Sequence, residues 1–235
     1  MSTAPDPQAV LYARDLARLN RLRRSYERLL PVPLDPRAPG EEEAVVRDTT
    51  AVFSDLRHFT SLMERFADQP AALLSVINEH MAVVVRAITH CGGVIEKFVG
   101  DGVFSTFGAR MDQPDHRERA VAAALGVVGA NEALNRRRSS AWGFRLDVGV
   151  GVASGPVVIG HLGPPERSEL CAMGDPINVA ARLVAQAAPG EVLMAANVYR
   201  GLAMTVRADL LGPSAVRGRD GTIELYRVAL TPQAS

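Results

Sequence analysis

Residues 95–108 read IEKFVGDGVFSTFG, two apolar runs joined by Gly100-Asp101-Gly102 and preceded by Gly92 and Gly93. No other stretch constrains the fold as much. A tight Gly-Asp-Gly between runs rich in β-branched and aromatic residues predicts a two-stranded hairpin, with strands over 93–99 and 103–108. A hairpin accounts for the glycines. It leaves Lys97 and Asp101, a cation and a carboxylate four residues apart, without a local explanation.

The hairpin sits within alternating strand and helix patterns. Residues 45–53 read as a strand, with Asp55 just past its end. Across 60–90, Leu73, Val76, Ile77, His80, Met81, Val84 and Ile88 recur at three and four, which predicts a helix. Residues 116–136 form an alanine-rich helical pattern. FRLDVGVGVA, over 144–153, alternates as a strand does, turns at Ser154-Gly155 and resumes over 157–159. After the polar stretch GHLGPPERSEL comes CAMGDPINVAARLVAQA, where Asp175 caps a helix with Pro176 at its first position. Short strands follow near 191–195, 205–210 and 223–228. This order predicts an α+β fold, a ferredoxin-like βαββαβ core with C-terminal additions.

An N-terminal helix precedes that core. Tyr12, Leu16, Leu19, Arg23, Tyr26 and Leu30 are spaced alternately four and three apart, and Leu19, Leu22, Tyr26 and Leu29 form a second, overlapping seam. Two readings stay open: an amphipathic helix packed on its own domain, or a parallel dimer helix that shifts register to pass a signal from an upstream regulatory domain. PVPLDPRAPGEEE then reads as a proline-rich, acidic linker. The expected organisation is 1–42 for helix and linker, and 43–235 for the main domain.

Composition excludes several classes. Lysine plus arginine and aspartate plus glutamate are 26 each, so there is no overall electrostatic case for nucleic acid or an anionic membrane as partner. Cys91 and Cys171 are too few for a disulfide scaffold and fit a reducing compartment. The apolar run 81–85 is broken by Arg86, and the N-terminus lacks a basic start and apolar core, so neither a membrane span nor a secretory signal is expected. The expectation is a soluble cytoplasmic protein. His58, His80, His90, His116 and His161 show no metal-ligand spacing.

The acidic residues carry more information. If the strands bearing Asp55 and Asp101 are sheet neighbours, both carboxylates meet at one edge. Without a local cation such a pair raises a pKa or calls for a metal. One or two carboxylates with open positions for water and phosphate oxygens suit Mg²⁺. Alternatively, Asp101 is only a turn residue, a role aspartate fills well.

Here the chain resembles a known family. FSDLRHFTSLMERF is similar to the first motif of the class III nucleotidyl cyclase catalytic domain, and HCGGVIEKFVGDGVFSTFG to the second. GVGVASGPVVIGHLG and GDPINVAARL are similar to the third and fourth, in the family's order, across about 45–229. The resemblance implies two ions per site, Mg²⁺ or Mn²⁺, held by Asp55 and Asp101 with the Leu56 backbone carbonyl. It implies that Lys97 and Cys171 read the base, and that Asn178 and Arg182 orient the ribose and stabilise the transition state. Arg217 or Arg219, in AVRGRDG, stands where the family places a lysine against the triphosphate. A segment around FADQPAALL is about two residues longer than usual.

The resemblance also implies a homodimer with the site at its interface, one protomer giving the metal aspartates and the other the remaining groups. Lys97 and Asp101 are too close along the chain for both to reach one nucleotide, whose base edge and α-phosphate are a ribose apart. In a two-fold dimer they would serve different nucleotides. HLGPPERSEL fits an arm that reaches the partner. Lys97 donates only, which suits adenine N1 and meets the guanine N1–H badly, so the expected substrate is ATP. Cys171, a weak donor and acceptor, is the departure from adenylyl enzymes and keeps GTP open, as a guanylyl or dual enzyme. A catalytically silent nucleotide-binding dimer module is a reading of another class, against which both aspartates and the arginine stand. A diguanylate-forming domain would need a GG(D/E)EF-type run, which is absent.

Overall fold

The computed structural model describes residues 43–164, 168–203, 206–215 and 222–229. The N-terminal helix and linker expected over 1–42, and with them Arg217 and Arg219, lie outside the described residues.

Four strands form the centre: β1 (Ala44–Arg57), β2 (Val94–Val99), β3 (Gly102–Phe107) and β4 (Asp147–Leu162). They lie in the order β2-β3-β1-β4, with every neighbouring pair antiparallel. Three helices accompany them: α1 (Phe59–Arg65), α2 (Pro70–His90) and α3 (His116–Trp142). This is the ferredoxin-like arrangement. The additions are β5 (Glu169–Met173), α4 (Asp175–Gln186), β6 (Val192–Ala195), α5 (Ala196–Gly201), β7 (Ala208–Ala215) and β8 (Thr222–Val228). β6 pairs parallel to β4 and extends the sheet through β8 to β7, while β5 pairs with β4 alone.

The two faces of the sheet are covered differently. Val52, Val148, Val150 and Val152 pack with Val84 and Ile88 of α2 and Ala120, Ala124 and Val127 of α3. On the other face Ala51 and Ala153 meet Val179, Ala180 and Leu183 of α4. The alternation of valine and glycine in β4 is the sequence record of this division, since successive strand residues point to opposite faces. At Gly151 a Cβ would run into the Ala180 carbonyl and the Val184 amide, and at Gly149 it would stand 3.0 Å from Ala187 Cβ. α4 therefore lies directly on the backbone of β4.

Several boundaries depart from expectation, each for a physical reason. Asp55 is inside β1 rather than beyond it, paired with Gly149. No turn forms at Ser154-Gly155: both residues stay in β4 opposite Thr50 and Thr49, because β1 continues alongside and supplies backbone partners. Residues 60–90 are two helices, broken at 66–69 where Gln69 precedes Pro70 at the start of α2. That break is the overlong FADQPAALL segment. α3 runs six residues past Arg136, to Trp142, and Gly174 rather than Asp175 is the cap position of α4. The stretch ELCAM is strand β5, and β7 starts at Ala208.

α2 is long and apolar enough, by length and composition, to cross a membrane, although Arg86 interrupts its apolar run. In the fold, its Val76, His80, Val83, Val84 and Ile88 are buried in the core. Both cysteines are free thiols.

Two glycine substitutions test this packing in opposite directions. Gly151→Ala forces α4 off the sheet and should destabilise the fold by about 1–3 kcal/mol or more in denaturant unfolding. Gly129→Ala, in α3 with nothing within 4 Å of the added Cβ, should instead stabilise by about 0.5–1 kcal/mol, the helix-interior advantage of alanine.

Candidate active site

The sheet brings Asp55 and Asp101 together. Asp55 occupies β1 and Asp101 the turn between β2 and β3, with β3 hydrogen-bonded to β1 from Thr50 to Ser54. The two carboxyl groups are close enough for the charge of Asp101 to act on Asp55. Two ionised carboxylates accept only, so neither satisfies its neighbour. Asp101 Oδ2 is buried with no hydrogen-bond partner, a state that costs free energy unless a cation or proton arrives. Burial first, and then the charge of Asp101, hold the Asp55 carboxyl above the ordinary aspartate range, with Arg57 working in the opposite direction. Arg57 Nη2 lies 2.5 Å from Asp55 Oδ2.

Gly102 keeps the space between the strands open. A Cβ there would stand 3.0 Å from both Asp55 Oδ1 and the Ser54 carbonyl. Among the described residues no cluster of three or more His, Cys, Asp or Glu side chains is assembled. The donor set is thus two carboxylates and nearby backbone carbonyls, all hard oxygen atoms, with one carboxylate oxygen orphaned. This fits a Mg²⁺- or Mn²⁺-type ion that completes its shell with water and phosphate oxygens. Arg57 is a resident counter-charge that such an ion would have to displace from Asp55.

Lys97 goes elsewhere. It pairs across the ladder with Phe104, which stacks on Phe53 with ring centroids 4.6 Å apart, and Phe53 pairs with Gly151 under α4. The Lys97 ammonium lies 3.9 Å from Glu169 of β5. Cys171, two residues further along β5 and opposite Gly160 of β4, is half-buried. The structure therefore sends Lys97 and Asp101 to different partners despite their proximity in sequence. Leu56 follows Asp55 with its side chain buried in the α1–α2 cluster.

Asn178 and Arg182 share a side of α4, one turn apart. That helix buries Pro176, Val179, Ala180, Leu183 and Val184. At 100° per residue, Asn178 and Arg182 project from the side turned away from its own sheet. Neither side chain makes a hydrogen bond or ion pair with another described residue. No hydrogen bond or ion pair joins Asp55 or Asp101 to Lys97, Asn178 or Arg182 among the described residues.

Sequence reasoning missed three participants in this region. Arg57 is two residues after Asp55 and so on its face of β1, a signal the strand period carried once the strand was known to extend that far. Gly102 looked like a turn residue and proves to be a clearance. Glu169 was read as part of a polar loop and lies on β5.

Residues 42–229 match the model of the adenylate and guanylate cyclase catalytic domain. An adenylate cyclase of Anabaena cylindrica is 30% identical over 194 residues, covering 79% of this chain and 37% of its own length. The adenylyl cyclase CyaB from P. aeruginosa superposes with a TM-score of 0.73 at 27% identity, covering 81% of this chain and 98% of that one. The guanylyl cyclase Cya2 gives 0.74 at 27% identity, covering 79% and 93%. The chain spans 29% to 37% of the length of the curated relatives it matches.

The carboxylate pair predicts a cation-linked stability. Because the Asp55 pKa is raised by the fold, the folded chain keeps a proton that the unfolded chain has released. Ionising Asp55 thus carries a stability cost that is absent below the ordinary carboxylate pKa and complete above the raised one. A divalent cation removes that cost. Mn²⁺ at a hundred times its dissociation constant should stabilise by about 2.7 kcal/mol at neutral pH, read as a shift in Tm. The shift should shrink as pH falls towards the carboxylate range, and Asp101→Asn should abolish it.

Proposed function

Because this chain belongs to the adenylate and guanylate cyclase catalytic domain family, we propose that it is an adenylyl cyclase, converting ATP to 3′,5′-cyclic AMP and pyrophosphate at a site shared between two copies. The outward position of Asn178 and Arg182 on α4 carries the shared-site reading. A helix that presents these groups away from its own sheet cannot close them over its own Asp55 and Asp101, whereas a two-fold partner can.

In this reading the 3′-oxygen of the ribose attacks the α-phosphorus, its proton leaves, and the bond to the bridging oxygen breaks to release pyrophosphate. Asp55, Asp101 and the Leu56 carbonyl would hold the divalent metal that the family generally uses, two ions per site in this reading. When bound, the ions supply Lewis-acid activation of the hydroxyl and a counter-charge for the triphosphate. The chain's own groups do the rest. Asn178 orients the ribose for an in-line approach. The forked guanidinium of Arg182 meets phosphoryl oxygens as charge builds on them, which makes it a transition-state group rather than a ground-state one. Arg217 or Arg219 neutralises the triphosphate.

Lys97 favours ATP because an ammonium has only donors to offer the base. The likeness to named enzymes is divided between adenylyl and guanylyl cyclases, so the choice of ATP rests on Lys97. One observation favours GTP: Glu169, beside Lys97, is an acceptor of the kind the guanine N1–H and 2-amino group require. Cys171 discriminates weakly either way.

Incubation with ATP or GTP and Mn²⁺ separates the two readings, with cyclic AMP and pyrophosphate as the expected products. Lys97→Glu should move preference towards GTP; an unmoved preference would remove Lys97 from base recognition. Arg182→Ala should lower kcat by about 10²- to 10³-fold with little change in KM, as expected for a group that acts on developing charge.

A further inference from the structure

The two positions read as contacting the base sit on strands that are not paired with each other. β2 is at one edge of the sheet, and β5 pairs with β4 alone. No direct backbone ladder therefore joins the strands of Lys97 and Cys171, and the hydrogen-bonded path between them runs the long way through β3, β1 and β4. The ion pair between β2 and β5, from Lys97 to Glu169, is 3.9 Å long with the two groups 63% and 55% exposed, too open and too long to set a geometry.

A buried link lies immediately behind. β2 breaks register between Ile95 and Lys97, which leaves Glu96 at the irregularity. Its side chain is only 7% exposed. Glu96 Oε1 accepts from Thr106 Oγ1 at 2.7 Å and from Arg110 Nε at 3.0 Å, while Oε2 accepts from Arg110 Nη2. The same Nη2 donates to the backbone carbonyl of Leu170 at 2.7 Å. Glu96 is the residue before Lys97, and Leu170 the residue before Cys171. Arg110, itself 14% exposed, thus ties together the backbone neighbours of both positions through one rigid fork. A guanidinium suits this task and an ammonium does not: its donors have fixed mutual directions, so both carboxylate oxygens and a third acceptor are held in one plane.

We propose that Arg110 is a positioning residue that fixes the separation of Lys97 and Cys171 and so sets base preference without touching the base. The inference rests on the reading of those two residues as base contacts, and deepens it. Discrimination between adenine and guanine depends on where donors and acceptors stand along the base edge. Loosening the clamp lets Lys97 and β5 drift independently, so that either base finds partners and neither finds all of them.

Removing Arg110 alone would leave Glu96 buried and uncompensated, so the test uses variants that avoid this. Glu96→Met with Arg110→Met replaces the ion pair by apolar volume, and Arg110→Lys keeps the charge without the fork. Each is compared with the wild-type chain and Lys97→Glu for kcat and KM on ATP and GTP with Mn²⁺, alongside Tm. The double variant should melt near the wild type while its ATP-over-GTP ratio of kcat/KM falls about tenfold, chiefly through KM for ATP. Arg110→Lys should fall part of the way, and decides the matter if the double variant does not fold. An unchanged ratio, or an equal loss of kcat on both substrates, overturns the proposal. If Lys97→Glu shifts preference while the clamp variants do not, the clamp alone is wrong. If Lys97→Glu also leaves preference unmoved, the base assignment falls and this inference with it.

Discussion

β1 and β4 pair without interruption from Ala44–Gly160 to Arg57–Asp147, and most of the architecture follows from that ladder. A strand of this length keeps Asp55 within the sheet, two residues short of the end of β1, with its carboxylate half-buried. It also holds β4 extended past Ser154 and Gly155, so that β5 can pair with the far end of β4. Glycines at 149 and 151 leave a bare backbone on one face, and α4 settles there. Once α4 is seated by Val179, Ala180 and Leu183, helical geometry leaves Asn178 and Arg182 no direction except outward. The sheet thus fixes the positions of the acidic pair and of the groups that must come from elsewhere.

The electrostatics of the acidic pair fit a site that waits for a cation. Two carboxylates in close approach, one with an orphaned oxygen, are a poor arrangement for stability alone. Arg57 offsets part of the repulsion from the Asp55 side, leaving Asp101 for an incoming ion. The strain is local because Gly102 removes any side chain that would otherwise crowd the carboxylates. Function and stability pull in opposite directions here, as they often do where charges are gathered to bind a charged substrate.

The sequence made the core legible and the periphery less so. The Gly100-Asp101-Gly102 hairpin, the helical patterns over 60–90 and 116–136 and the alternation in β4 are local signals, and each has its counterpart in the described structure. Boundaries failed where a neighbour decides the outcome. Ser154-Gly155 has turn chemistry, yet β1 alongside keeps it extended. Strand β5 was not read as a strand because its pairing partner is the far end of β4. Asp55 and Asp101 were legible as a pair because one hairpin and one strand suffice to bring them together. Glu169 and Arg110 were not, since their importance comes from contacts between distant segments that no spacing in the chain records, and Arg57 was missed because the strand read from the sequence stopped short of it.

The central claim is that one copy supplies Asp55 and Asp101 while the other supplies Asn178 and Arg182. Equal amounts of Asp55→Ala and Arg182→Ala chains, each inactive alone, are mixed under conditions that allow subunit exchange, and cyclic nucleotide formation is measured. With random pairing, half of the dimers are mixed and each has one intact site of two, so turnover should return to about a quarter of wild type. Mixed dimers that form and remain inactive would contradict the account.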